Sequence, residues 1–223
     1  MKLSDLLGAE NNHFYWLFDT FFNPASGLKI NLGKNNPDLQ SHDILTMKDL
    51  EHYIDTQLRE SGRKFAFGGY GEHREFYKRS PIFLQGEPRV VHLGLDFWLP
   101  AYSTVYLPMD GTIHSFASNS GTGNYGPTLI TEHQLNNHSF FLLFGHLSHT
   151  SLEKTKIGAV MRKGSVIGKL GDYEENGNWP PHLHFQIIND LKGNWGDYPG
   201  VASVKASIDE MKNCPDPTII FNL

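Results

Sequence analysis

Residues 180–188 read Pro-Pro-His-Leu-His-Phe-Gln-Ile-Ile, and the fold turns on them. Two histidines at i and i+2, continuing into a β-branched apolar run, have the period of a strand. Successive strand side chains alternate faces, so His182 and His184 point to one side and Leu183 and Phe185 to the other. The apolar pair can fill a core while both imidazoles enter a cleft. Pro180 and Pro181 stiffen the approach and remove two backbone donors. Such a pair on its own is also what polar residues on a solvated strand face look like, so its meaning depends on the rest of the chain.

That rest is globular. The chain has 223 residues, 39% hydrophobic and 19% charged, enough for one large domain or a domain with an appendage. Its 22 glycines, 12 prolines and 13% aromatics favour a turn-rich β protein over a helical one. A net charge of -5 and the lack of any Lys/Arg cluster argue against a nucleic-acid partner. The single cysteine, Cys214, excludes an internal disulfide and a thiolate-rich zinc site and suits a small buried apolar position. The N-terminal sequence contains no apolar stretch of signal-peptide length, and no stretch of about 18 apolar residues occurs. The expectation is a cytoplasmic protein without membrane insertion.

Moving outward, the texture from Pro88 onward is short β patterns between turns. Val90–Trp98 reads as one strand and Thr104–Pro108 as another. Asp110-Gly111 is a turn, with a strand over Thr112–Phe116 after it and a loop over 118–127. Leu129–His133 and Phe140–Phe144 form an expected antiparallel pair around Asn136-Asn137. The glycine-punctuated stretch 157–171 reads as a tight hairpin. The first 80 residues differ. The aromatic run 11–22 reads as a short packed element and 23–43 as loop. Residues 46–61 carry the best helical pattern: Thr46 as N-cap with Asp49 three residues on, apolar Met47, Leu50, Ile54 and Leu58, and Gly62 just past the end. Residues 65–80 read as a glycine-rich turn leading into a polar strand, with Glu72, His73 and Arg74 either within reach of an adjacent cleft or plain surface polar residues.

Two further elements carry chemistry. In Val91-His92-Leu93-Gly94-Leu95-Asp96-Phe97, an extended chain puts His92, Gly94 and Asp96 on one face. A straight strand separates the α-carbons of His92 and Asp96 by about 13 Å, whereas zinc ligand atoms sit about 2.0–2.2 Å from the metal. A shared metal therefore requires a bend, and Gly94 is the residue best able to make it. The alternative is a buried strand whose His and Asp pair with each other. In Phe144-Gly145-His146-Leu147-Ser148, His146 stands at a strand end, either structural or catalytic.

His-x-Gly-x-Asp, then Gly-His-Leu-Ser, then His-Leu-His-Phe, in that order and in a β context, resembles the M23 family of zinc metallopeptidases, of the LytM or lysostaphin type. The resemblance spans about residues 88–190 and includes Pro108-Met109-Asp110-Gly111 and the stretch 162–171. It implies a mainly β fold, an antiparallel sheet or sandwich, and zinc ligands His92, Asp96 and His184. It also implies a catalytic pair of non-ligand histidines, His146 and His182, and endopeptidase cleavage of peptidoglycan-type or other short peptides. Residues 81–223 then form the β metallopeptidase domain. Residues 1–80 form a small, partly helical accessory segment packed on it. Glu72, Arg74, Tyr125 and Trp179 are further candidates for contact with substrate.

Two features depart from the family pattern. The stretch 172–181 before the histidine pair is longer and more acidic than usual, and the family usually acts outside the cytoplasm. The Gly-Gly-Tyr-x-Glu-x-Arg and Glu-Asn-Gly-x-Trp-Pro-Pro stretches are similar to M23-like domains found attached to aminotransferases. From the residues alone, two histidines and one carboxylate leave a fourth position for water, as in catalytic zinc sites. Two other readings stay open at this point: a non-catalytic zinc-binding or regulatory module with the same fold, and a zinc amidohydrolase acting on a small intracellular amide.

Overall fold

The structure, a computed structural model, describes residues 2–10, 13–41, 44, 46–221 and 223. Asn11 and Asn12 of the aromatic run, and His42 and Asp43 of the expected loop, lie outside the described residues.

The N-terminal part runs through α1 (Leu3–Ala9), β1 (Gly27–Lys29), α2 (Pro37–Ser41), α3 (Met47–Ser61) and β2 (Phe65–Gly68). The helix read from sequence at 46–61 is present as α3. Thr46 Oγ1 accepts from Asp49 N at 3.2 Å, Asp49 Oδ2 accepts from Thr46 N at 2.6 Å, and Gly62 closes the helix in the left-handed region at φ 66°. Two local readings are corrected. The expected loop 23–43 contains β1, paired in parallel with β2, and the short α2. The strand in 65–80 precedes the glycines, and a 3-10 turn over Glu75–Arg79 stands where the polar strand was expected.

From Arg89 the chain is β-rich: β3 (Arg89–His92), β4 (Leu95–Trp98), β5 (Thr104–Tyr106), β6 (Gly111–Asn119), β7 (Gly126–Leu135) and β8 (His138–Gly145). Next come the one-turn α4 (His149–Leu152), β9 (Val160–Met161), β10 (Val166–Lys169), β11 (His182–Ile188), β12 (Val201–Ser203) and α5 (Ser207–Asn213). The run 90–98 is two strands rather than one. β3 pairs with β12, while β4 joins the main sheet, and the break falls at Leu93-Gly94. The predicted pair around Asn136-Asn137 is β7–β8, both asparagines having positive φ as a tight hairpin turn requires. The stretch 157–171 is not a hairpin: β9 adds to β6 and β10 to β5.

The main sheet runs β1-β2-β4-β11-β8-β7-β6-β9. Its centre sets the site. β11 is antiparallel to β4, with His184 opposite Asp96 and His182 opposite Trp98, and to β8, with His184 opposite Gly145. One face of this centre is apolar. Leu183, Phe185, Leu95, Phe97 and Phe144 are fully buried there with Leu17 and Phe18. Trp16 and Phe18 from the aromatic run lie edge-on to Phe97, with ring centroids 5.8 and 5.3 Å away. Fully burying one such side chain contributes roughly 1.5–3 kcal/mol. The opposite face carries the histidines and is covered by a second apolar cluster, in which Leu50, Tyr53 and Ile54 of α3 meet Leu32, Phe76, Tyr77, Phe83, Trp98 and Trp179. Among the described residues no helix is long and apolar enough to cross a membrane.

Candidate metal and catalytic centre

The sequence patterns that looked suggestive one by one meet at this covered face. His92 from β3, Asp96 from β4 and His184 from β11 each turn one ligand atom inward, all within 4.8 Å of one another. His92 Nε2 is 2.9 Å from His184 Nδ1 and 3.2 Å from Asp96 Oδ1, and His184 Nδ1 is 3.1 Å from the same oxygen. The break at Gly94 makes this possible. It also brings Gly94 against the neighbouring ligand, since a Cβ there would stand 2.5 Å from Cε1 of His184.

The hydrogen-bond network assigns the tautomers. His92 Nδ1 lies 3.0 Å from the Gly69 carbonyl, which can only accept, so Nδ1 carries the proton and Nε2 presents a lone pair. His184 Nε2 lies 2.9 Å from Gln186 Oε1, whose amide nitrogen is directed to the Pro199 carbonyl and Cys214 Sγ. His184 therefore donates through Nε2 and presents a lone pair at Nδ1. Burial, with the Arg74 charge close by, pushes His92 down to about 3, so it is neutral near pH 7. Burial pushes the Asp96 carboxyl up, but the groups packed around it, the charged Arg74 guanidinium among them, outweigh it and hold the group well below the usual carboxylate range. Two imidazole lone pairs and an ionised carboxylate oxygen thus face one another at close range, an arrangement that repels itself unless a cation sits among the three atoms.

His146 and His182 form a second layer. His146 comes directly after β8, and its φ of 62° turns its ring back over the sheet. Its ring centroid is 4.1 Å from that of His182, and His182 Nε2 is 3.9 Å from Asp96 Oδ1. Both rings donate through Nδ1, His146 to the Asn176 carbonyl at 2.9 Å and His182 to the Pro180 carbonyl at 2.7 Å. Their Nε2 atoms are left as acceptors. Burial lowers both basicities, His146 further because His182 and His184 crowd it.

The cavity over this centre has a volume of about 220 Å³. The five residues His92, Asp96, His146, His182 and His184 are each 5% exposed or less. Tyr125 and Trp179 line the cavity, as do Leu32, Phe76, Tyr77 and Phe83 from the N-terminal part. Arg74 also reaches it, but its guanidinium is engaged with Asp96. Glu72 does not line the cavity: its carboxylate accepts from Arg74 Nε at 2.9 Å and from Leu32 N at 3.2 Å. Reading the sequence missed Gln186, although the strand period that aligns His182 with His184 continues to it. It also missed Tyr77 and the carbonyls of Gly69, Asn176 and Pro180, and no side-chain pattern marks a carbonyl.

The antiparallel sheet thus brings two histidines onto a carboxylate in a group able to hold a metal ion, with two more histidines beside it. Residues 90–195, just under half of the chain, match the family model described as Peptidase family M23. Among solved structures it is similar to a zinc-containing peptidase from Vibrio cholerae, at 28% identity and a TM-score of 0.35, over 48% of this chain and 29% of that one. It is similar to the catalytic domain of the antimicrobial peptidase lysostaphin from Staphylococcus simulans, at 23% identity and a TM-score of 0.38, over 54% of this chain and 80% of that one. The catalytic domain of a prophage-encoded M23 protein from Enterococcus faecalis gives 18% identity and a TM-score of 0.37, over 49% and 76% of the two chains. No curated protein is matched.

Proposed function

We propose that this protein is a zinc-dependent peptidase that hydrolyses amide bonds in short peptides, of the peptidoglycan-fragment kind or similar in size. The observation that carries the reading is the convergence of His92 Nε2, His184 Nδ1 and Asp96 Oδ1 at 2.9–3.2 Å, with both tautomers fixed by outside partners. The donor set fits the ion. A tetrahedral zinc site with bonds of about 2.0–2.2 Å has ligand atoms about 3.3–3.6 Å apart, close to the spacing here, and nitrogen with carboxylate oxygen suits zinc. Bound at these three atoms, zinc supplies a Lewis acid and a water whose pKa falls to about 7.

The chain's own residues do the remaining work. His146 and His182 are neutral near pH 7 and hold their free Nε2 atoms beside the ligand atoms. One of them takes the proton of the attacking water and passes it to the departing amine. The ring that has taken the proton carries it at Nε2 and donates it to the oxygen on which charge develops before passing it on, while the other ring, 4.1 Å away, packs against it. The apolar walls exclude water and strengthen these interactions. The walls of Leu32, Phe76, Tyr77 and Phe83 narrow the cavity over the centre, which supports a short substrate.

The test has two arms. Purified protein is analysed for metal, then incubated with defined soluble muropeptides and with intact sacculi, with products read by mass spectrometry. The reading expects about one zinc per chain and cleavage of the soluble peptides. A metal-replete protein that cleaves neither would leave a binding module with this fold, and a protein that takes up no zinc would end the proposal.

A further inference from the structure

The donor atoms of the centre come from residues 92–184, but much of what holds them does not. Residues 69–74, before the matched peptidase stretch, are zipped onto β3: Gly71 N donates to the His92 carbonyl at 2.9 Å, His92 N to the Glu72 carbonyl at 3.0 Å and Arg74 N to the Val90 carbonyl at 2.8 Å. This pairing delivers the Arg74 side chain, 3% exposed, to the back of Asp96. The carboxylate is divided between two tasks. Oδ1 faces His92 and His184, and Oδ2 accepts from Arg74 Nη1 at 2.7 Å. Arg74 is itself fixed, Nε to Glu72 Oε2 at 2.9 Å and Nη1 to the Tyr77 hydroxyl at 2.8 Å. Its Nη2 lies against the α-carbon of Gly69, where a Cβ would stand 2.0 Å away and φ is 110°. Position 69 is therefore a glycine for two reasons, its backbone angle and the guanidinium beside it.

We propose that Arg74 is a positioning residue for the metal ligand Asp96. It occupies one carboxylate oxygen so that the other alone faces the imidazoles, which makes the N-terminal segment a structural part of the centre. The inference rests on the metal-centre reading above. A buried, hydrogen-bonded guanidinium offers a fixed fork that a lysine cannot reproduce. Partners that orient a ligand typically contribute about 10–100-fold in metal affinity.

Removing Arg74 alone would strand Asp96 as a buried anion beside the partly buried Glu72, so the informative variant removes a charge of each sign: the double substitution Glu72→Gln with Arg74→Met. Zinc affinity is measured by chelator competition, and cobalt(II) is bound alone to read the ligand field from its visible absorption. The expected result is a folded protein by circular dichroism, with zinc bound about 10–100-fold more weakly and an altered cobalt spectrum. Arg74→Lys, which keeps the charge, serves if the double variant does not fold; it should bind zinc with an affinity between that expected for the double variant and wild type. Wild-type affinity together with an unchanged cobalt spectrum, in whichever variant folds, overturns the inference while the metal centre stands. A wild-type protein that binds neither ion overturns the metal centre and the inference together.

Discussion

Residues 27–87 and residues 90–195 meet at the same cavity and contribute to it in different ways. The second region supplies each of the five centre residues, which its motifs mark at fixed spacings. The first supplies none of them, yet it covers the centre with Leu32, Phe76, Tyr77 and Phe83 and braces Asp96 through Arg74. The motif spacings thus mark the residues that converge. The access those residues have, and the orientation in which they are held, are written in a part of the chain with no motif of its own.

The comparison fails at once if the donors are not where the motifs put them. His184→Ala should leave a protein that retains no zinc and shows no turnover, measured by metal analysis after chelator-free purification. The next largest effect separates ligands from their neighbours. His146→Ala and His182→Ala should keep full zinc content while turnover falls about 100-fold or more. Wild-type rates at normal zinc content would remove both from the mechanism.

A third experiment separates burial from function within the second region. His133 is as buried as the centre histidines, but it donates through Nδ1 to the Asp110 carbonyl and its Nε2 meets the Thr131 hydroxyl. Burial pushes it down to about 4. Unfolded, it takes a proton near pH 6.5; folded, it does so only near pH 4. The unfolded state therefore binds more protons between those values, and stability falls as pH drops through that window, by about 3 kcal/mol for this residue at most. Urea titrations of wild type and His133→Gln at pH 7 and pH 4.5 should show a smaller acid loss in the variant, with zinc content at pH 7 the same in both. Equal acid losses would place the titration elsewhere.

The smallest effect lies in the first region. Thr46→Ala removes the side-chain acceptor for Asp49 N and should cost about 1 kcal/mol, read by thermal denaturation, with zinc affinity unchanged. A loss of zinc affinity would mean that α3 reaches the centre more directly than its packing on Leu32 and Phe76 implies.

Where one stretch dictated its own geometry, sequence and structure agree. The alternation His182-Leu183-His184-Phe185 set both faces of β11, the distance argument placed the bend at Gly94, and the Thr46–Asp49–Gly62 signals bounded α3. Agreement ended where pairing is long-range. Val160–Met161 and Val166–Lys169 look like hairpin arms because Gly164 sits between them, yet each finds its partner tens of residues away. Phe65–Gly68 is buried along its whole length, so it lacks the alternation that reveals a strand. The cluster of His92, Asp96 and His184 was legible because a candidate metal site demands particular side chains. The role of Arg74 was not, because it depends on a backbone pairing between residues 71–74 and β3 that no spacing announces.

The pairing of β2 with β4 has a consequence for dissecting the molecule. Ala66, Phe67 and Gly68 sit opposite Trp98, Phe97 and Asp96. Cutting the chain down to the matched stretch would turn β4 into an edge strand, a bare row of amide and carbonyl groups beside exposed aromatics. Such an edge is a template for another copy. The isolated stretch would then self-associate through the strand that holds Asp96, and light scattering of the truncated protein would rise. Its inactivity would report aggregation at the bared edge and say nothing about the competence of the histidines.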